Sequence, residues 1–305
     1  MRVIPPITIL DSMLTSTNVS EPGTFETAYN SGTTYALNDT VSVISTNFHH
    51  KYTSLVAGNI DHAPASSPTY WFDNGATNRW AMFDLSRNSQ TTATSPITVT
   101  VTPGQRINSV FCLGMVGNSL TISATSVLGG GSVYSQTFDL NTREVLDSYM
   151  YCFEPFSFNP SIVVFDIPPY TDIIVTISVS STSGNVSMGA CGMGTYVTLG
   201  TTEYQAVRDY LNFSTVTRDV FGNAVLVPRK HSPKTSQKVV MDKSRINKVI
   251  DTIDALNAIP AVFSGVDDPE DGFANSLLIV GIIKSAPISL DGPTWAVMTL
   301  ELEEI

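Results

Sequence analysis

Short runs in which apolar and polar residues alternate limit the fold of this chain more than any other feature. They recur from residue 40 to the last residues of the sequence, for example at 40–44, 97–101 and 295–303. Because successive side chains of an extended strand point to opposite faces, a period of two predicts half-buried β-strands. Only one stretch has comparably clear helical periodicity. The sequence therefore predicts a mainly β fold.

The middle of the chain, residues 76–200, is predicted to be one antiparallel β-sandwich. Its alternating runs lie at 97–101, 119–124, 132–138, 162–165 and 173–179. Turn-forming sequences separate these runs, and short strands at this spacing are typical of two packed sheets. Their order resembles that of galactose-binding jelly-roll domains, many of which bind sugars through loops at one end. The connecting stretch 143–158 is either such a binding loop or an ordinary crossover between strands.

Residues 201–305 are predicted to form an α+β domain with one helix. Positions 246, 249, 250, 253 and 256 are apolar and share one face of a helix over 244–258, which Pro260 ends. Strands are predicted around it, at 224–227, 238–241, 261–263, 277–284 and 295–303. The acidic stretch 267–272 lacks the ligand spacing of an EF-hand and is interpreted as a solvated loop.

The chain is acidic and carries few charges. It has 16 Lys and Arg against 27 Asp and Glu residues, a net charge of −11, and only 14% of its residues are charged. Nucleic-acid binding needs clustered basic residues, so a nucleic-acid partner is not expected. The one basic cluster is interpreted as a solvated loop, and it consists of Arg229, Lys230, His231, Lys234 and Lys238. A polar but weakly charged surface is typical of β-rich proteins and large assemblies.

The three cysteines, Cys112, Cys152 and Cys191, are predicted to be buried free thiols. The sequence has no CxxC pair, so neither a zinc site nor a redox motif is expected. The first residues lack the apolar core and cleavage site of a secretory signal, and no apolar run reaches the roughly 18 residues of a membrane helix. The protein is therefore expected to be made in the cytoplasm and to span no membrane.

Residues 70–84 are rich in aromatic side chains and are predicted to join two domains. Asn and Gly tolerate positive φ, so Asp73-Asn74-Gly75 is predicted to be a tight turn between two aromatic halves. A small module would close on Trp71, and a larger β domain would open on Trp80; alternatively, both tryptophans only fill cores. Arg79 is expected to pair with a nearby carboxylate. The predicted inter-domain seam consists of Arg79, Trp80 and Asp84.

Residues 25–75 are predicted to form a compact β module, preceded by an extended arm at residues 1–24. The arm is either a clasp on a neighbour or a simple linker. The run from Thr33 to Val41, followed by Tyr52, Pro64 and Trp71, resembles the small carbohydrate-binding module of bacterial chitinases. That family has a Tyr-x-x-Gly-Asp-x-Val strand turn, and Asn38 replaces its usual Gly here.

The resemblance to chitinase modules implies that exposed aromatic side chains bind sugars. The candidate stacking residues are Tyr29, Tyr52, Tyr70 and Trp71. Alternatively, Tyr35, Tyr52 and Trp71 form the core of the module, because so small a module has few other large apolar residues.

The eight residues 77–84, Thr-Asn-Arg-Trp-Ala-Met-Phe-Asp, resemble a motif of a tail protein family of bacteriophages and prophages. Residues 194–202, followed by 210–214, 219–223 and Ser236, resemble that family's linker into its last domain, and residues 278–303 resemble its end. The resemblance implies a structural virion protein of the tail tip or baseplate, made in the host cytoplasm, that joins the tail to peripheral parts. It further implies other tail and baseplate proteins as partners, a homo-oligomeric ring of three- or six-fold symmetry, and contact with host surface glycans.

The alternative function is a tail enzyme that degrades polysaccharide. Such enzymes need paired carboxylates at a defined separation, whereas the acidic residues of this chain are scattered. The four histidines form no metalloprotease or triad motif, and no phosphate-binding or dinucleotide motif is present. The protein is therefore not expected to be an enzyme, and no catalytic residue, metal ligand or cofactor is assigned.

Overall fold

The computed structural model describes residues 1–24, 26–86, 89–141, 146–153, 159–182, 184–266 and 273–304. Strands make up 48% of the structure and helices 9%, which confirms the predicted mainly β fold. The chain divides into two compact units: Ile7–Met193, here the sandwich unit, and Met1–Pro6 with Gly194–Ile305, here the nine-strand unit. The predicted arm is thus divided between the two units.

The first strands follow one another in chain order through the arm and the small module. They are β1 (Arg2–Ile4), β2 (Leu14–Thr17), β3 (Thr27–Ala28), β4 (Thr40–Ser45), β5 (Phe48–Ser54) and β6 (Trp71–Ala76). Strands β3 to β6 form a four-stranded sheet in sequence order, with β3 and β4 parallel. The core of this module consists of Tyr35, Val41, Tyr52 and Trp71.

The predicted turn at Asp73-Asn74-Gly75 is wrong, because β6 runs through these residues. His50 pairs with Ala76 and Tyr52 pairs with Asp73, so the strand holds one residue more than its partner between these pairs. Gly75 has φ of +83°. A glycine at positive φ is typical of a β-bulge, which needs the same backbone freedom as a turn.

The remaining elements of the sandwich unit follow the module. They are β7 (Thr91–Thr94), β8 (Ile97–Val101), β9 (Ser109–Leu113), β10 (Ser119–Ser126), β11 (Gly131–Asp139), α1 (Ser148–Phe153), β12 (Ile162–Val164), β13 (Ile174–Ser180), β14 (Asn185–Met188) and β15 (Ala190–Gly194). One sheet has the order β11-β10-β13-β8-β2, a second has β12-β9-β15, and β7 pairs with β14. Alternate residues of β8, β10 and β13 are buried between the sheets, as the predicted sandwich requires.

The arm, for which the sequence left a clasp on a neighbour and a simple linker open, packs in part against the sandwich core of this chain. Strand β2 pairs with β8 at the edge of the five-stranded sheet. Met13 and Leu14 lie against the sandwich core, and Val19 is buried in it. An apolar extended segment beside a sheet edge gains both backbone hydrogen bonds and burial.

Two of the three cysteines are buried, as predicted. Cys112 and Cys191 lie in the sandwich core with their Sγ atoms 4.0 Å apart. The hydrogen bond with Cys191, together with burial, holds the pKa of the Cys112 thiol well above its ordinary value. Cys152 is exposed on the short helix α1, so its predicted burial is wrong. Helix α1 falls in the predicted connecting stretch, whose residues 143–145 and 154–158 lie outside the described residues.

The nine-strand unit contains β1 and all the later elements. These are β16 (Val197–Thr198), β17 (Thr201–Thr202), β18 (Val207–Asn212), β19 (Thr215–Arg218), β20 (Ala224–Val227), β21 (His231–Asp242), α2 (Ile246–Ala255), β22 (Ala261–Ser264), β23 (Leu278–Ser285), β24 (Ile288–Ser289) and β25 (Trp295–Glu304). The sheet order is β16-β1-β22-β23-β25-β21-β17, with β18 on β21 and β24 on β25. The acidic stretch 267–272 lies outside the described residues.

Helix α2 confirms the predicted helix. Most of its apolar face packs against the core of the nine-strand unit. Val249 and Leu256 are buried, and Ile246 and Ile253 pack against the same core. Ile250 is exposed, so it does not belong to the buried face. The helix follows a short 3₁₀ turn. Asp242 caps this turn, because its side chain accepts a hydrogen bond from the Ser244 amide at 2.8 Å.

Candidate functional site

Two of the four predicted sugar-stacking residues lie in the core of the small module. The side chains of Tyr52 and Trp71 are only 4% and 2% exposed. The Trp71 ring packs edge-on against Tyr35 at 5.2 Å, and its Nε1 donates to the His62 carbonyl at 2.8 Å. These rings have no free face for a sugar, because a module this small uses its largest aromatic residues to form its core.

The other two candidates are half-buried at the edge of this core. Tyr29 packs edge-on against Trp71 at 6.0 Å, and burial, followed by the charge of Asp61, raises the pKa of its hydroxyl. Tyr70 stacks on His62 with 3.4 Å between the ring centroids. The structure therefore brings Tyr29, Tyr52 and Trp71 into one cluster, with Tyr70 packed against it.

Phe72 is an exposed aromatic side chain that sequence reasoning did not single out. It is 58% exposed, whereas its neighbour Trp71 is buried. Phe72 lies opposite Thr53 in the sheet, so both side chains are on the outer face. Alternation along β6 was the available signal, and the incorrect turn prediction obscured it.

A polar groove of about 760 Å³ lies beside this outer face, and we call it the module groove. Its lining includes Thr40, Lys51, Thr53 and Asn74 from the module and Asn78, Gln90, Thr92 and Asn185 from the sandwich. Lys51 Nζ lies 3.8 Å from Glu26 Oε1, so the one basic and one acidic side chain of the lining compensate each other. Hydroxyl and amide groups without net charge suit a neutral, hydrogen-bonding ligand.

The module and the sandwich meet at a junction centred on His49. Its ring stacks on Trp80 with 4.4 Å between the ring centroids. His49 Nε2 lies 2.6 Å from Asp11 Oδ1, and His49 Nδ1 lies 3.0 Å from Glu21 Oε1. Thr77 also donates its hydroxyl hydrogen to Glu21, and its amide donates to the His49 carbonyl at 2.9 Å. These contacts hold one wall of the module groove against the other.

Two of the three predicted seam residues take part in this junction. Arg79 Nη1 lies 3.5 Å from Glu21 Oε2, and Arg79 Nε donates to the Val19 carbonyl at 2.8 Å. Asp84 does not pair with Arg79. It accepts hydrogen bonds from the Ser86 amide and the Ser89 hydroxyl, and burial raises its pKa.

A second candidate contact surface is a two-stranded ribbon in the nine-strand unit. Residues 207–212 pair with 231–236, and residues 215–218 pair with 224–227, so one long hairpin spans residues 207–236. We call it the ribbon. Each residue from 215 to 231 is exposed. The ribbon carries the basic residues Arg229 and Lys230 of the predicted solvated loop, which is therefore part of a hairpin.

The tip of the ribbon is fixed by hydrogen bonds to Asp219. Its Oδ1 accepts from the Phe221 amide at 2.9 Å and the Asn223 amide at 2.8 Å. The Asn223 side chain and these two amides lower the pKa of Asp219. Val220 and Phe221 are held outward at the tip, 94% and 86% exposed. The tip therefore presents a preorganised apolar surface.

The parts of the chain that the structure describes contain no group of three or more His, Cys, Asp or Glu side chains arranged to hold a metal ion. Within the same residues, neither helix has the length and apolar character needed to cross a bilayer. A comparison of the chain with protein-family models, curated proteins and solved structures found no match.

Proposed function

We propose that this chain is a structural component of a bacteriophage tail tip or baseplate, which joins the tail to peripheral parts. The observation that carries this proposal is the ribbon, whose large apolar side chains are exposed on both faces. Val216 and Leu226 lie opposite each other on one face, and Thr217 and Val225 on the other. A component of an assembly buries such a surface against its neighbours.

Burial by a neighbour is the physical reason for this interpretation of the ribbon. A two-stranded hairpin alone is marginally stable in water, because it has no third layer to cover its side chains. Covering apolar surface contributes roughly 25 cal/mol per Å², so a partner stabilises the ribbon substantially. Exposed contiguous apolar surface is typical of protein contact sites.

The resemblance of residues 77–84 to phage tail proteins is the basis for proposing that the assembly is a phage tail. In this proposal the neighbours are other tail and baseplate proteins and further copies of the chain in a ring. The protein resides in the virion after synthesis in the host cytoplasm. Its role is mechanical and adhesive rather than catalytic.

Purified phage particles test this proposal. An antibody raised against the chain is expected to label the tail tip or baseplate in immunogold electron microscopy. Mass spectrometry of the same particles is expected to find the protein in a fixed ratio to the major tail protein. Its absence from particles, with other tail proteins detected, would rule the proposal out.

A second function, contact with host surface glycans, is favoured by the module groove and by the exposed ring of Phe72, which lies opposite the lining residue Thr53 in the sheet. Uncharged hydroxyl and amide groups orient sugar hydroxyls, and an exposed aromatic face packs on the apolar face of a pyranose ring. In this proposal Phe72 replaces the buried rings of Tyr52 and Trp71 as the stacking residue.

Binding of the labelled protein to host cells and isolated surface glycans tests the glycan proposal. We expect saturable binding that Phe72→Ala weakens about tenfold, a loss of roughly 1.4 kcal/mol. Leu37→Ala is the matched control, since Leu37 is another exposed apolar residue of the same module but, unlike Phe72, lies in a turn and is not paired with a lining residue. Equal binding by the two variants would argue against this site.

A further inference from the structure

We propose that the ribbon of one chain docks on the acidic surface of a second copy of the same chain. The inference rests on the proposed structural function, because it names the partner that covers the ribbon. It is carried by three properties of the ribbon: its charge, its apolar side chains and its rigid tip.

The charge of the ribbon is opposite to that of the rest of the chain. Residues 207–236 contain five basic residues, Arg208, Arg218, Arg229, Lys230 and Lys234, and two acidic residues, Asp209 and Asp219. Their net charge is therefore +3. Since the whole chain carries −11, the remaining residues carry −14. The rest of a second copy thus carries a net charge opposite in sign to that of the ribbon.

The charge distribution also selects among partners. Complementary potentials steer association and set the orientation of the complex. A nucleic acid would meet the ribbon favourably but would be repelled by the much larger negative charge of the rest of the chain. An acidic protein can bind the ribbon without bringing the acidic remainder of this chain close to phosphate groups. A second copy of this chain is such an acidic protein.

The apolar side chains of the ribbon supply the burial that a stable contact needs. The large exposed ones are Val207, Tyr210, Phe213, Val216, Val220, Phe221, Val225, Leu226 and Val227. They extend from the base of the ribbon to its tip and lie on both of its faces, so a partner that accepts the ribbon covers apolar side chains along its whole length. Charged groups flank these apolar residues, as a polar rim surrounds the core of many interfaces.

The rigid tip lowers the entropy that docking removes. The hydrogen bonds of Asp219 fix the tip, and Arg218 Nη1 donates to the Gly222 carbonyl at 3.0 Å. Farther down, Ser214 Oγ and the backbone of Arg229 bond each other at 2.9 and 3.2 Å. Because such a surface already has its bound conformation, docking costs less conformational entropy, and the complex binds more tightly for the same contacts.

The contact joins two different surfaces, the ribbon of one copy and an acidic face of the next. Such a heterologous contact closes into a ring when the rotation between copies divides a full turn. The ribbon is therefore the element that would set the ring geometry expected for this protein.

Sedimentation velocity of the full-length chain over a range of micromolar concentrations tests the proposal. We expect reversible assembly beyond one copy, and weaker assembly at about 0.5 M salt than at about 0.1 M, because salt screens the ribbon charge. Phe221→Ser and Arg229→Glu are each expected to weaken self-association at least about tenfold. Circular dichroism of each variant checks its fold.

Two control variants carry the same chemical changes outside the ribbon. Val127→Ser removes an equally exposed apolar residue from the sandwich unit, and Lys248→Glu reverses an exposed charge on α2. Both are expected to assemble like the wild type. Self-association that the ribbon variants leave unchanged would overturn the proposal.

A chain that stays monomeric over the whole concentration range would also overturn it. If antibody labelling still places that monomer in the tail, the structural function stands and the ribbon binds a different tail protein. If the chain assembles through the ribbon but is absent from particles, the contact between copies stands and the tail function fails. The two proposals therefore fail on different measurements.

Discussion

At the scale of single residues, Trp71 and Phe72 show how one step along a strand changes a side chain's role. Both belong to β6, and the pleat turns Trp71 into the core of the small module and Phe72 toward solvent. The energetic consequences differ accordingly, because only the buried ring leaves a cavity when it is truncated.

Trp71→Ala is expected to destabilise the sandwich unit by about 3–5 kcal/mol, the usual cost of removing a buried large aromatic side chain. Phe72→Ala is expected to change the free energy of unfolding by less than about 0.5 kcal/mol. Urea denaturation followed by tryptophan fluorescence and circular dichroism measures both. Similar values for the two variants would contradict the burial described for this strand.

The junction at Asp11 gives a pH dependence with a definite sign. Burial alone would raise the pKa of this carboxyl, but the Asn47 amide and the hydrogen bond and charge of His49 lower it below 3.8. The stabilisation is therefore complete above the pKa of the unfolded state and is lost as pH falls through the lower folded pKa.

Asp11→Asn is expected to remove this contribution, so its melting temperature lies below that of the wild type at pH 7 and approaches it as the pH falls through the lowered pKa of folded Asp11. Differential scanning calorimetry across this range measures the difference. A difference that stays constant as the pH falls would show that the Asp11 charge does not act at the junction.

At the scale of elements, a strand is easily recognised in the sequence when one of its faces is buried and the other is exposed, and is hard to recognise when both are buried. The half-buried strands β8, β10 and β13 alternate and were predicted nearly to the residue. Strands β9 and β15 are buried at every residue, so they carry no period of two and were not predicted. Apolar and polar residues alternate along a strand because one face is buried and the other is exposed to solvent. A strand that is covered on both faces does not show this alternation.

The junction was predicted only in part for a different reason. Trp80 and Arg79 stand in a conspicuous aromatic stretch, whereas Glu21 and Asp11 are single acids in a segment without periodicity. Glu21 reaches Thr77 and Arg79 only after the chain has folded back over more than fifty residues. No local pattern encodes such a partner.

Gly281 is a sharp test of the packing between β23 and β25. A Cβ atom at this position would lie 2.0 Å from the Glu303 carbonyl oxygen, which belongs to the backbone and cannot rotate away. Gly281→Ala is expected to destabilise the nine-strand unit by roughly 1–3 kcal/mol. Hydrogen exchange of the β22 and β25 amides measures the loss, and unchanged protection would contradict this close approach.

At the scale of the whole molecule, the two units differ in how they are built along the chain. The sandwich unit uses one continuous segment, Ile7–Met193. The nine-strand unit uses two, and its strand β1 lies between β16 and β22 with Met1, Val3 and Ile4 buried. A strand of three residues is too short to show a period of two, so the place of β1 in this sheet could not be predicted from the sequence.

A chain without residues 1–6 is expected to lose most of the stability of the nine-strand unit and to keep the sandwich unit folded. Burying each of the three apolar side chains contributes roughly 1.5–3 kcal/mol, a large share of a typical domain's 5–15 kcal/mol. Hydrogen exchange resolved by residue compares both units in one sample. Equal protection of the two units in the shortened chain would contradict the position of β1 between β16 and β22.

The position of β1 also has a consequence for the order of events during translation. Residues 2–4 leave the ribosome before the sandwich unit, but their partners in β22, 262–264, follow only after the entire sandwich unit has been synthesised. The sandwich unit can fold while it emerges, whereas β1 must stay unpaired for most of that time. A slow folding phase that begins only after β22 has emerged from the ribosome is the expected kinetic trace of this arrangement.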